Sequence, residues 1–195
     1  MQHSTADITV AVLCAAGRSI YHHLPNTIVF DKHRDSCHFA ATLPVVAHPP
    51  CRTWSRNLAH CAKPTAREAE RNLAWFCLEQ VIRNGGVFEH PAHSKFWLAA
   101  KLPAPGDFTD PFLYTIQVEQ AWWGFATRKK TWLLIAGLPK AYLPPIPFRL
   151  TMPNRQLASL STAQRSRTLL PFAAFLCRIA RETWWQHKPQ PTTRA

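Results

Sequence analysis

Apolar and polar positions alternate along this chain in short blocks, most of them too brief for anything but strands. Ile8 to Ala16 is a β-branched, apolar run of the kind that makes a central strand. Gly17-Arg18-Ser19 interrupts it. Ser19 is placed to cap a short helix that reaches Leu24 and stops at Pro25-Asn26. Thr27 to Phe30 predicts a second strand, closing on Asp31. Val45-Val46-Ala47 predicts a third. Pro49 and Pro50 then force the chain out of the sheet, because proline offers no N–H and fixes its own φ. Cys51 follows at once, presented on a stiff loop at the strand's carboxyl end.

The longest helical pattern comes next. Thr65 and Glu68 have capping-box spacing, Leu73, Phe76, Cys77 and Val81 share one helical face, and Gly85-Gly86 supplies the stop. Val87-Phe88 predicts a brief strand with Glu89-His90-Pro91 at its tip, a second instance of strand, polar residue and proline. Residues 92–112 read as a longer loop or short helix containing Trp97 and several prolines. Leu113 to Val118 alternates as a strand does, and Gln120 to Gly124 is an aromatic turn. Arg128-Lys129-Lys130 leads into an apolar strand over Thr131 to Gly137. Residues 138–154 are proline-rich and extended. Ser161 and Gln164 repeat the capping-box spacing, Phe172 to Trp185 predicts a terminal helix, and residues 187–195 read as frayed.

Strands alternating with helices or long crossings define an α/β fold. The expectation is a three-layer, Rossmann-like, mostly parallel sheet with helices on both faces. Residues 1–154 would form the catalytic domain, and residues 155–195 a helical segment packed on that same domain. With 195 residues, 47% of them hydrophobic and 17% charged, the chain has enough apolar material for one substantial core.

Charge changes the picture. A net charge of +12 and a pI near 10.0 point to a polyanionic partner, DNA before an anionic membrane surface; a merely basic protein is the bland alternative. The six cysteines are scattered, several of them in apolar runs, which suits reduced thiols in a cytoplasmic protein. Asp7 stands before the first apolar run, where a signal peptide would be basic, and no stretch is apolar for long enough to span a bilayer. His33, Cys37 and His38, the pair His48 and Cys51, and the pair His60 and Cys61 lack the pair-of-pairs spacing of a zinc site, so no metal is expected.

Parallel strands would gather three polar tips at one edge: Cys51, Glu89, and the Arg128/Lys130 pair near Gln120. A thiolate, a carboxylate and cations on one rim suit addition to a planar, electron-poor ring. The bland readings are a buried inert Cys51, a Glu89 paired with a neighbouring cation, and tryptophans packed in the core. Asp31 at the end of the second strand is placed either for a ribose hydroxyl or for an ion pair with Lys32 or Arg34.

These residues resemble a family. Pro49-Pro50-Cys51 with Ser55 is similar to the Pro-Cys motif of DNA cytosine-C5 methyltransferases, whose cysteine attacks C6 of the base. Val87-Phe88-Glu89-His90-Pro91 resembles the Glu-Asn-Val motif, whose glutamate contacts ring N3. Arg128-Lys129-Lys130 resembles the Arg-x-Arg motif, and Leu160 to Gln164 resembles a late Leu-Thr-x-x-Glu segment. The chain is also similar to small phage- and prophage-encoded proteins. The resemblance implies Cys51, Glu89, Arg128 and Lys130 as catalytic residues. It implies S-adenosylmethionine as cofactor, near Cys14, Gly17, Asp31 and Pro49. Arg52, Ser55, Arg56, Gln120, Trp123 and Lys129 are then the residues expected to face nucleic acid. The chain departs from the family in three places. The loop Leu13 to Ser19 has one glycine, His90 stands for the motif's Asn, and residues 138–160 are too few for a DNA-reading domain. A partner protein would then supply sequence recognition. The rival readings are a pyrimidine modification with another donor, and a catalytically idle DNA-binding or anti-restriction protein.

Overall fold

The computed structural model describes residues 5–31, 33–55, 63–150, 153 and 156–187, with the backbone alone over 184–187. Six strands form one sheet: β1 (Val10–Leu13), β2 (Thr27–Val29), β3 (Val45–Ala47), β4 (Gly86–Pro91), β5 (Leu113–Glu119) and β6 (Lys130–Ala136). Their order across the sheet is β2-β1-β3-β4-β6-β5. Among the described residues, four helices accompany them: α1 (Pro64–Asn84), α2 (Phe96–Ala99), α3 (Thr162–Ser166) and α4 (Leu170–His187). Among the described residues, the crossings from β1 to β2 and from β2 to β3 carry only short 3-10 turns, Ile20–His23 and Ser36–His38.

The fold is α/β, as expected, and its sheet is mixed. β2, β1, β3 and β4 pair in parallel, whereas β6 is antiparallel to both β4 and β5. The cause is the connection. A parallel return needs a crossover of a dozen or more residues, usually helical. Residues 120–129 offer a single turn, Gln120–Trp123, closed by Gly124 in the left-handed region at φ 92. That is enough for a hairpin, so β6 doubles back and inserts between β5 and β4.

Both faces of the sheet are covered, which is why its strands read as continuous apolar runs. Val10, Val12, Val46, Val87, Leu133 and Ile135 point one way and pack with Phe172, Leu176 and Ile179 of α4. Ala11, Leu13, Val45, Ala47, Phe88 and Leu134 point the other way, onto Ala74, Cys77, Leu78 and Val81 of α1. Helix α1 is capped differently from the sequence expectation. Lys63 is its N-cap without a side-chain bond, and Pro64 occupies its first turn. It stops at Gly85 (φ 77), and Gly86 (φ 134) starts β4 so close to Val45 that a Cβ would lie 1.9 Å from the Val45 carbonyl oxygen. The Ser161–Gln164 capping box does form at α3, with the Gln164 N–H donating to Ser161 Oγ at 3.2 Å and the Ser161 N–H to Gln164 Oε1 at 2.9 Å. Among the described residues, no helix is long and apolar enough to cross a membrane.

Candidate functional site

The reversed strand builds one rim. The carboxyl ends of β3, β4 and β5 and the amino end of β6 all lie on it, as the register Glu119↔Lys130 and Pro91↔Thr131 shows. Order reverses between β1 and β3, and ligands of open α/β sheets bind at such a switch point, outside the strands' carboxyl ends. At the tip of β3 the His48 N–H donates to the Leu13 carbonyl at 3.0 Å, holding the tip beside β1. Pro49 is buried, Pro50 half-buried, and Cys51 exposed at the start of the turn Arg52–Trp54.

Glu89 lies inside β4, opposite Leu133, rather than on a loop beyond a strand tip. Pairing with β6 carries the strand through to Pro91. The Glu89 side chain is 12% exposed and carries a chain of hydrogen bonds. Its Oε2 lies 2.9 Å from His48 Nδ1, and its Oε1 accepts from Gln120 Nε2 at 3.1 Å. Gln120 Nε2 also reaches Thr131 Oγ1 at 3.0 Å, and Tyr21 Oη lies 2.8 Å from His48 Nε2. Burial works against the Glu89 charge, but the hydrogen bond and charge of His48, with Lys129 and His90 beyond, outweigh it and bring the carboxyl down to about 2. Glu89 is therefore an anion with a donor on each oxygen. His48 and Tyr21 carry no family signature, and their partnership joins residues far apart in sequence. Only the position of His48, immediately before two prolines, hinted at them.

His90 takes the opposite environment. It points to the α1 face, packed against Phe88, Phe96 and Trp97, fully buried with neither ring nitrogen in a well-formed hydrogen bond. Burial pushes it down to about 4, against the Glu89 charge and the nearby Pro50 backbone.

The Cys51 thiol is raised above its ordinary value, first by desolvation and then by the Glu89 charge, with Lys129 pulling the other way. Cys51 is exposed as a residue, and the charges of Glu89 and Lys129 both reach its thiol, so these three groups form one electrostatic unit. The cation in that unit is Lys129 rather than Arg128 or Lys130. Arg128 Nη2 donates to Glu119 Oε1 at 3.3 Å, and its side chain is 56% exposed. Lys130 opens β6 on the face away from Thr131 and is exposed. Lys129, half-buried, also places its ammonium 5.1 Å from the Phe125 ring centre. The sequence could not tell which of three adjacent cations turns inward.

Among residues expected to face nucleic acid, Gln120 is buried within the Glu89 chain, and Arg52 pairs with Glu70. Ser55 is half-buried behind Cys51, its N–H donating to the Arg52 carbonyl at 3.2 Å. Trp123 is a correction: it is buried against Phe172 and Phe175 at ring separations of 4.9 and 4.8 Å, a core residue with no face left for a base. Trp122 is the outer member of the pair, half-buried against Phe148. Trp54 is buried beside Phe96, with Arg71 over its ring. Arg56 and the His60–Cys61 pair lie outside the described residues; of the end expected to fray over 187–195, His187 still belongs to α4 and residues 188–195 lie outside the described residues.

The loop after β1 was expected to hold S-adenosylmethionine. Cys14 stands there in the left-handed region at φ 60, where a glycine would be unstrained, and its side chain fills the space toward Ser36 and Cys77. Gly17 lies in an exposed turn without positive φ. Asp31 Oδ1 accepts the N–H groups of His33 (2.7 Å) and Arg34 (3.2 Å), and Oδ2 lies 3.5 Å from His22 Nε2. Those bonds, His33 first, lower the Asp31 carboxyl. As placed, the loop and the carboxylate do not fit the cofactor: one is closed by a side chain, the other holds its own turn. A groove of about 740 Å³ between Trp75, Phe76, Glu79 and Ile82 lies on the flank of α1 and includes none of the Cys51–Glu89 unit. Among the described residues, no three His, Cys, Asp or Glu side chains gather as metal ligands. The chain matches no family model, no curated protein and no solved structure.

Proposed function

We propose that this chain modifies a pyrimidine in DNA by adding the Cys51 thiol to the base ring, as its resemblance to cytosine-C5 methyltransferases implies. The observation that carries the reading is the electrostatic unit of Cys51, Glu89 and Lys129 on one rim of the sheet. In the proposed step, Cys51 Sγ bonds ring C6, the C5=C6 pair moves onto C5, and the thiol proton passes through solvent to C5, so that the thiol adds across the double bond. Glu89 is an anion, and each of its oxygens keeps a lone pair beyond the donors already present, so it accepts from the exocyclic amino group of cytosine. Lys129 offsets negative charge developing on the ring. The net charge of +12 favours a DNA backbone in the approach.

S-adenosylmethionine is the donor that the resemblance implies. Since the first-strand loop does not fit it as placed, the proposed chemistry ends at ring addition, and calorimetric titration with S-adenosylmethionine decides the donor separately. The Rossmann-like description belongs to the same proposal. Its support is the parallel set β2-β1-β3-β4, whose switch point lies beside His48.

One observation favours a second reading, a catalytically idle DNA-binding protein: the Cys51 thiol is raised rather than lowered. Nucleoside mass spectrometry of DNA from cells expressing the protein separates the two. The enzyme reading expects a modified pyrimidine that vanishes with Cys51→Ser. Unmodified DNA from cells making the folded wild type overturns it.

A further inference from the structure

We propose that Cys14 and Cys77 form a redox-active dithiol that closes to a disulfide and ties the first-strand loop to α1. The inference does not depend on the pyrimidine chemistry. Cys14 Sγ lies 3.4 Å from Cys77 Sγ, joining the carboxyl end of β1 to the middle of α1. A covalent bond of about 2.05 Å asks the two sulfurs to approach by only about 1.4 Å. The Cys14 backbone is already held in place, its N–H donating to Ser36 Oγ at 2.9 Å while the same hydroxyl lies 3.5 Å from its sulfur. At φ 60 the Cys14 side chain is directed by a conformation that L-residues rarely adopt.

The two thiols differ as an attacking and a resolving cysteine do. Cys14 is half-buried, whereas Cys77 is fully buried among the α1 core residues. The hydrogen bond shared with Cys77, against burial and helped by Ser36, lowers the Cys14 thiol; the same bond and burial raise Cys77. The oxidant is a small disulfide such as oxidised glutathione. The Cys14 thiolate attacks one of its sulfurs, forming a mixed disulfide and releasing one glutathione thiolate. Cys77 then loses its proton and attacks the Cys14 sulfur, and the second glutathione leaves. Two protein thiols are oxidised and one glutathione disulfide is reduced to two thiols. The bond would fix the loop at the switch point between β1 and β3, where an open α/β sheet takes its ligand, so the shape of that crevice depends on redox state.

The test treats the folded full chain with oxidised glutathione, blocks remaining thiols with an alkylating agent, and maps peptides without reduction. The expected result is a Cys14–Cys77 linked peptide, a protein lighter by two hydrogens, and reversal by a dithiol reductant. In Cys77→Ala, Cys14 should instead keep glutathione as a stable mixed disulfide. Recovery of both cysteines alkylated, or of Cys14 linked to Cys37, would overturn the inference. The wild-type map decides even if a variant fails to fold.

Discussion

His48 Nδ1, just past the end of β3, and Glu89 Oε2, inside the neighbouring parallel strand β4, meet at 2.9 Å, and this contact keeps a largely buried carboxylate ionised. The carboxyl sits at about 2 in the folded chain against 4.5 ordinarily, so its stabilising effect is present above 4.5 and is lost as pH falls toward 2. The difference corresponds to about 3 kcal/mol. His48→Phe removes the donor. It should cost about 2 kcal/mol at neutral pH and flatten the acid limb of the stability curve below 4.5, checked by urea unfolding across pH.

His90 gives a second, separable acid limb. Its folded value of about 4 lies below the ordinary 6.5, so the unfolded chain takes up the proton first. Stability is complete above 6.5 and falls as pH drops toward 4. Because neither ring nitrogen has a good partner, His90→Phe should keep the aromatic packing and remove this loss. Thermal melts at pH 5 should show the variant more stable than wild type.

Much of this fold is legible where local chemistry decides. Two prolines end β3 after Ala47 in any packing, and Ser161 with Gln164 makes its capping box from residues three apart. The direction of β6 is not legible, because an apolar run reads the same both ways. Its reversal is set by a connection too short to cross over. That reversal also brings Arg128-Lys129-Lys130 to the Cys51 rim: a parallel β6 would have carried its amino end to the opposite edge. The choice of Lys129 over its neighbours, of core-bound Trp123 over Trp122, and of His48 as Glu89's partner depends on side-chain faces and long-range pairing that no local pattern encodes.

Cys51 reactivity should report its neighbours. The Glu89 charge raises the thiol and Lys129 lowers it. Glu89→Gln should therefore speed iodoacetamide alkylation of Cys51 at pH 8, and Lys129→Gln should slow it, read by peptide mass spectrometry. Equal rates in all three proteins would separate Cys51 from the rim's electrostatics.

Nucleic-acid binding should divide the aromatic and cationic candidates. Lys129→Ala and Arg52→Ala should each weaken DNA binding across sequences and reduce the salt slope by about 1. Trp123→Ala should instead destabilise the fold by about 3–5 kcal/mol through the cavity left beside Phe172 and Phe175. Fluorescence anisotropy over a salt series and denaturant titration measure the two effects.

The most direct test of the central claim is covalent capture. The protein is incubated with an oligonucleotide carrying pyrimidin-2-one, an electron-poor ring that accepts a thiol without a methyl donor, and examined by intact and peptide mass spectrometry. An adduct mapped to Cys51 and absent in Cys51→Ser is the predicted result. An oligonucleotide that binds the folded wild type while Cys51 stays unmodified would contradict it.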